Sequence, residues 1–339
     1  MTNLEKTLGE VEFAKVIFPR ANKSNAHVLE FDAVNPVGQK LSSIFLTLAY
    51  NDDGVLNQIF MNQGKSGGDE NAHAQSLGIL TSIGLQHGIP PQSFIKTLKG
   101  IQSNVRPFEL SDKNKKIVYS SIEDLIAAKM TEYIIGVGEP TEVPDDGKYS
   151  HQILKTPDEG KATYIKLNMG KSDSSPLYVF FSEDKKGLLS AVFLTRGKSG
   201  GNESAHAESL GKLISIPLQY GLHPYRIVKA LVGIKSSLVS YGNGSIFQSM
   251  EDALGRSILK WYSSRGVNLE EFYNKFVKSE TTEDPTKSLS LEELTAVFLP
   301  NEKSPCPACG SIEYDKIQKP GTRGCFEYSC CRHPEGSCE

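Results

Sequence analysis

The pattern of apolar and polar residues predicts the same order of elements twice along the chain. In the first copy, the apolar run IFLTLAY is followed by the turn Asp53-Gly54 and by a second run, NQIFMNQ. In the second copy, LYVFFS and SAVFLTR flank Lys186-Gly187 in the same way. Runs rich in β-branched and aromatic residues, joined by a short turn containing glycine, are typical of β-hairpins. Each copy is therefore predicted to contain two antiparallel strands.

Three helices are predicted after each hairpin. Leu77, Leu80 and Gly84 lie at helical spacing, Gly88 is placed to end this helix, and Pro91 opens a second one. The second copy repeats this pattern 133 residues later. A third helix is predicted from SSIEDLIAAKM and from QSMEDALGRSI, with a longer loop before it in the first copy. The fold class is therefore predicted as α+β, with two tandem β-β-α-α-α repeats.

The two copies are repeats of one unit. Residues 64–104 align with residues 197–237 without a gap, and 24 of the 41 positions are identical. We therefore expect the repeats to pack as an intramolecular pseudo-dimer that replaces a two-fold homodimer. The predicted boundaries are 1–135 for the first repeat with an N-terminal extension, 136–160 for a linker, 161–277 for the second repeat, 278–300 for a linker with a short helix, and 301–339 for a cysteine-rich tail.

Composition limits the partners that the chain can attract through charge alone. The 339 residues carry a formal net charge of −3, so no strong overall field favours nucleic acid or an anionic membrane. No apolar run approaches the roughly 20 residues that a membrane span needs. The N-terminal sequence MTNLEKTLGEVEF lacks the pattern of a signal peptide. These features indicate a cytoplasmic protein with no membrane partner. A homo-oligomer is a further expectation.

The most distinctive motif is GKSGG, which stands between a strand and a helix in both copies. Glycines let a backbone approach a ligand closely, and the free N–H groups of a helix N-terminus favour an anion. A neighbouring lysine adds a cation. The spacing is not that of a Walker A loop, because Ile59 and Val192 stand where its first glycine would be. The candidate ligand-binding residues are Lys65, Ser66, Gly67, Gly68, Glu70, His73, Lys198, Ser199, Gly200, Gly201, Glu203 and His206.

The alternative interpretation of this motif is that the glycines only form the turn, and that Asp69 and Asn202 cap the following helices. His73 is a separate question. It shares a helical face with Leu77 and is either a hydrogen-bonded core residue or an acid–base group. The sequence contains no serine–histidine–aspartate order that would point to a catalytic triad.

All six cysteines lie after residue 305, which favours a metal site over a disulfide framework. A CxxC pair, two predicted strands and a CxxH pair outline a zinc ribbon. So small a segment would obtain its folding free energy from the metal. The predicted zinc ligands are Cys306, Cys309, Cys330 and His333, with Cys331 or Cys338 as alternatives to His333. A thiol tail that acts as a redox relay is the other interpretation.

The GKSGG turn, the helix LGxLxS, the LxGI helix and the SxxD helix together resemble the TSCPD domain, which occurs near the C-terminus of adenosylcobalamin-dependent ribonucleotide reductases. CPACGS at residues 306–311 resembles the cysteine segment that often follows it. The name-giving element Ser-Cys-Pro-Asp appears here as SIED, from Ser121, and as SMED, from Ser249. The chain has no room for the reductase barrel, so ribonucleotide reduction by this chain alone is not expected.

These observations favour a non-catalytic binding module of nucleotide metabolism, which binds a nucleotide or another phosphate-bearing ligand at both GKSGG turns. One alternative is an enzyme that acts on a nucleotide, with His73, His206, Glu70 and Glu203 as acid–base groups. Another is a protein adaptor, or a nucleic-acid-binding accessory of a replication or reductase complex.

Overall fold

A computed structural model describes residues 2–20, 25–110, 115–135, 149–156, 162–170, 174–242, 245–276, 316–318 and 326–328. The chain forms two compact units, Met1–Lys278 and Ser279–Glu339. The first unit holds both repeats. Within the described residues, no helix has both the length and the apolar character needed to cross a membrane.

The first repeat follows a short helix, α1 (Asn3–Gly9), whose N-terminus is closed by a capping box between Thr2 and Glu5. One turn of π-helix, Thr131–Ile135, continues the last helix of the repeat. The elements are β1 (Asn25–Val34), β2 (Lys40–Tyr50), β3 (Leu56–Gln63), α2 (Asp69–Gln86), α3 (Pro91–Leu98), β4 (Arg106–Leu110), β5 (Lys116–Val118) and α4 (Ile122–Met130).

The second repeat has the same order of elements and ends with an additional helix. These elements are β6 (Ala162–Met169), β7 (Ser174–Glu183), β8 (Leu189–Thr195), α5 (Asn202–Gln219), α6 (Pro224–Leu231), β9 (Ser240–Gly242), β10 (Ser245–Phe247), α7 (Met250–Ser263) and α8 (Leu269–Phe276).

Each repeat builds a five-stranded antiparallel sheet with helices against one face. The strand orders are β3-β2-β1-β4-β5 and β10-β9-β6-β7-β8. Alternation along β2 follows from this arrangement, because Ile44, Leu46 and Leu48 are buried while Phe45 between them is exposed. The predicted α+β class, with two similar halves, is confirmed.

The predicted order β-β-α-α-α is incomplete. The two predicted strands and three helices are present in each half, but a further strand precedes them, and a hairpin of short strands separates the second helix from the third. In β5 all three residues are exposed, so the sequence Lys116–Val118 has no alternation that would identify a strand. Its partner β4 supplies the pairing, through Phe108 opposite Val118.

Two extended segments connect the halves at the ends of α2 and α5. Residues 14–18 donate backbone hydrogen bonds to the carbonyl oxygens of Gly221, at 2.9 Å, and of Gln86, also at 2.9 Å. Residues 150–154 make the equivalent two bonds with the roles of the halves exchanged, at 2.7 and 2.8 Å. The second segment falls within the predicted linker, so part of that linker is an ordered structural element that repeats the N-terminal segment.

In the second unit, β11 (Lys316–Gln318) pairs antiparallel with β12 (Phe326–Tyr328). The predicted zinc ligands Cys306, Cys309, Cys330 and His333, and the alternatives Cys331 and Cys338, lie outside the described residues.

Candidate functional site

The two GKSGG turns have the same backbone geometry. The N–H of Gly68 donates to the carbonyl oxygen of Lys65 at 3.0 Å, and Gly67 between them has φ +76°. A positive φ at the third residue is the requirement of a type II turn, which glycine meets without strain. The equivalent turn at Lys198 also closes at 3.0 Å and has φ +76° at Gly200. Turn geometry therefore accounts for these glycines in both copies.

Glycine, and not the following residue, caps each of the two long helices. Gly68 and Gly201 are the N-cap residues, and neither provides a side-chain hydrogen bond to the first turn. Asp69 and Asn202 are therefore not the N-caps, although their side chains suit that role. They contact the opposite half instead.

These contacts are reciprocal between the halves. The carboxylate of Asp69 accepts hydrogen bonds from the N–H of Leu238, at 2.8 Å, and from the hydroxyl of Ser237, at 3.0 Å. Asn202 donates its N–H to Oδ1 of Asn104 at 2.8 Å. The start of each long helix is thus held by the loop that follows the second helix of the other repeat.

The charges around the two turns differ. Lys65 and Lys198 are both exposed. The first turn, over residues 63–70, carries one cationic side chain and two carboxylates. The second, over residues 196–203, carries two cationic side chains and one carboxylate, and Arg196 forms an ion pair with Glu203 at 2.7 Å. The second turn is therefore the more favourable of the two for an anion.

His73 and His206 meet where α2 packs against α5. Their ring centroids are 3.6 Å apart, with an angle of 45° between the ring planes. Only 3% of His73 and 8% of His206 is exposed, so neither lies on the surface with the lysines. Both histidines are therefore core residues, and the neighbour of each is its counterpart from the other repeat.

Each histidine is hydrogen-bonded to a buried carboxylate from the third helix of its repeat. Nε2 of His73 lies 2.7 Å from Oε1 of Glu123, and Nε2 of His206 lies 2.8 Å from Oε1 of Glu251. Both carboxylates are 1% exposed. Ser209 of the second repeat also donates to Oε1 of Glu123, at 3.1 Å, which joins the halves directly. We call His73, His206, Glu123 and Glu251 the interhelical cluster.

The electrostatics of the interhelical cluster oppose two protonated histidines. Burial lowers the pKa of His206, and the adjacent His73 lowers it further. Burial alone would raise the pKa of Glu251, but its hydrogen bond with His206 lowers it overall. The lowered pKa of His206 corresponds to a neutral imidazole, whereas the lowered pKa of Glu251 requires His206 to be an imidazolium. We give more weight to the neutral imidazole, because two imidazolium rings at this separation in a poorly solvated interior would repel strongly.

The structure separates the predicted ligand-binding residues into two groups. The exposed group is formed by the turns, and the buried group by the two histidines. Glu70 is exposed, and Glu203 is paired with Arg196, so neither is the carboxylate that contacts a histidine. The actual partners, Glu123 and Glu251, were missed. The available signal was the match between SIED and SMED, in which the glutamate is kept in both copies.

The serine and aspartate of the same two motifs have structural roles. Ser121 caps α4 by accepting from the N–H of Asp124 at 3.2 Å. The carboxylate of Asp124 accepts from the N–H of Gly100 at 2.9 Å. Ser249 and Asp252 make the equivalent contacts in the second repeat. These bonds fix the start of the third helix and so position the glutamate toward the histidine.

A cleft of about 580 Å³ lies elsewhere, against the segment 150–154 and residues 10–15. Asp184 and Lys186 from the β7–β8 turn contribute opposite charges to it. None of the predicted ligand-binding residues lines this cleft, so it gives no support to the GKSGG turns as a site.

Comparison with protein families matches the TSCPD domain twice, over residues 29–134 and residues 148–262. Together the two matches cover more than half of the chain. Comparison with curated proteins gives no match, and comparison with solved structures gives none.

Proposed function

Because the chain belongs to the TSCPD-domain family, which is related to ribonucleotide reductases, we propose that it is a non-catalytic binding module for a nucleotide or another phosphate-bearing ligand. The observation that carries this proposal is the pair of exposed Lys-Ser turns, each of which precedes an 18-residue helix whose N-cap residue is a glycine. The helix dipole and the first-turn N–H groups other than that of Asn202, which donates to Asn104, favour a phosphate at such a position.

The charge difference between the turns gives this proposal an order of affinity. Arg196 and Asn202 in the second copy stand where the first has Gln63 and Asp69. The second turn therefore attracts an anion, whereas the two carboxylates of the first oppose it. We expect the turn at Lys198 to be the tighter site.

The test is calorimetric titration with a panel of nucleotides, cyclic nucleotides and short single strands. Lys198→Ala is expected to weaken phosphate binding about ten- to hundredfold, since it removes a charge-assisted hydrogen bond. Lys65→Ala should weaken it less. The double variant should also show a smaller dependence of affinity on salt, with little change in thermal stability.

Lys185→Ala is the matched control, because it removes an exposed lysine from the β7–β8 turn. It should leave the affinity unchanged. If the double variant binds every ligand as tightly as the parent, or if the parent binds none, the turns are structural only. The chain would then be better explained as a protein adaptor.

The enzymatic alternative has weaker support. Its acid–base histidines are buried against each other, and their carboxylate partners are buried as well. Turnover of a nucleotide that is abolished by His206→Ala, with binding retained, would favour the enzyme.

For the tail, we propose one structural zinc ion, as its CxxC and CxxH spacing predicts. Elemental analysis of the full chain, purified without chelator, should find one more equivalent of zinc than Cys306→Ser retains. The variant should lose structure only in the tail and keep the unfolding transition of the repeats, because the metal supplies the folding free energy of the tail alone. A tail that folds without metal would contradict this proposal.

A further inference from the structure

We propose that His73, His206 and Glu251 bind one divalent transition-metal ion between α2 and α5, with Glu123 as the carboxylate that orients His73. One ring nitrogen of each histidine and one carboxylate oxygen of Glu251 all lie within 4.8 Å of one another. This site is separate from the GKSGG turns and does not depend on the ligand proposed for them.

The distances suit a metal after a small closure of the side chains. A tetrahedral ion with bonds of about 2.0–2.2 Å to nitrogen and oxygen holds its ligand atoms about 3.3 Å apart. The three donor atoms lie within 4.8 Å of one another, so side-chain rotations must close these separations by at most about 1.5 Å. They come from α2, α5 and α7, so a bound ion would join the two repeats through three different helices.

Two unpartnered polar atoms are a second and independent observation. Among the described residues, Nδ1 of His73 and Oε2 of Glu123 are buried and have no hydrogen-bond partner. Leaving such atoms unpaired in a protein interior is costly, so each one calls for an explanation. A bound metal ion explains the unpartnered Nδ1 of His73, because Nε2 of the same ring is already hydrogen-bonded to Glu123. Histidine ligands commonly have a carboxylate on the other ring nitrogen.

The charge of the interhelical cluster also fits a divalent cation. Two carboxylates that are each 1% exposed place two negative charges in the interior. Isolated buried charges are strongly unfavourable unless they are paired or coordinate a metal. A divalent ion with two neutral imidazoles and two carboxylates is electrically balanced. Imidazole selects first-row transition metals rather than Mg²⁺ or Ca²⁺.

A simpler explanation must be excluded, namely that the histidines and glutamates only join the halves through hydrogen bonds. Glu251→Gln distinguishes the metal site from this hydrogen-bonded cluster. Glutamine keeps the shape of glutamate and can still hydrogen-bond to neutral His206, but it is a poor metal ligand. Ser76→Ala is the matched control. It removes a buried polar group, the hydroxyl of Ser76, from the same turn of α2 as His73 and leaves the four side chains of the interhelical cluster intact.

The experiment uses the full chain with Cys306→Ser and Cys309→Ser, so that metal in the tail does not contribute. Metal content is measured by elemental analysis after purification without chelator, and again after refolding with Zn²⁺, Fe²⁺ or Mn²⁺ under anaerobic conditions. Refolding is included because a buried site between two halves fills most readily before they close. We expect one equivalent in this background and in Ser76→Ala.

Glu251→Gln and His206→Asn should abolish the bound metal, and Glu123→Gln should weaken affinity about 10–100-fold as an orienting residue does. X-ray absorption at the metal edge of the tail variant should detect nitrogen and oxygen ligands without sulfur, which tests the site even where a cluster variant does not fold. If no ion binds under any condition, or if bound metal survives in both folded ligand variants, the metal site is overturned and the interhelical cluster is a hydrogen-bonded tie.

Discussion

Gly211→Ala and Gly78→Ala are each expected to destabilise the protein by about 1–3 kcal/mol, the range for overpacking a close-packed interior. A Cβ on Gly211 would lie 2.9 Å from the carbonyl oxygen of Val192 in β8. A Cβ on Gly78 would lie 2.8 Å from the carbonyl oxygen of Ile59 in β3. Both obstacles are backbone atoms of a paired strand, so relief requires the whole helix to move away from its sheet.

The sign of this effect separates packing from helix propensity. In an exposed helix, alanine is more favourable than glycine by about 1 kcal/mol. Gly9→Ala is the control, because Gly9 also lies in a helix and nothing lies within 4 Å of a Cβ added there. Chemical denaturation should find Gly9→Ala neutral or slightly stabilising. If Gly78→Ala and Gly211→Ala behave like Gly9→Ala, the close helix–sheet approach is wrong.

The elements that the sequence predicts best are those specified by local chemistry. Pro91 begins α3, and Gly88 follows the end of α2 with φ +75°, as a C-terminal glycine should. Gly221 has φ +78° in the same position of the second repeat. Such positions depend on one or two residues and their backbone angles, so the sequence pattern is sufficient to identify them.

The elements and contacts that the sequence missed depend on partners outside their own segment of the chain. β5 is a strand because β4 pairs with it, and residues 150–154 are ordered because they bond to the ends of the long helices. Glu123 lies 50 residues from His73 along the chain. In the sequence, the glutamate present in both copies looks like an ordinary acidic residue in the first turn of a helix. Only the packing of α2 on α5 brings it to the histidine.

Lowering the pH from neutral to about pH 5 is expected to remove about 2 kcal/mol of stability through His223 alone. His223 is 1% exposed and packs against the rings of Phe13, Phe272 and Tyr273, at centroid distances of 4.4–5.8 Å. Burial lowers its pKa from 6.5 to about 3, and the charge of Arg226 contributes in the same direction. The folded protein therefore holds this imidazole neutral.

The direction follows from proton uptake by the unfolded chain. Below pH 6.5 the unfolded state binds a proton at His223 that the folded state does not, until the pH approaches 3. The stability that depends on a neutral His223 is fully present above pH 6.5 and decreases as the pH falls from 6.5 toward 3. His223→Asn is the informative variant, because the side-chain oxygen of asparagine can replace Nδ1, which accepts from the N–H of Tyr225 at 3.1 Å at the start of α6.

The measurement is the free energy of unfolding of the parent and of His223→Asn across this pH range. Every other titrating group is common to both proteins, so the difference between the two curves isolates the imidazole. The parent should lose stability relative to the variant by about 1.4 kcal/mol for each pH unit below 6.5. Parallel curves would mean that His223 accepts a proton in the folded state, and that the aromatic cage around it opens to water.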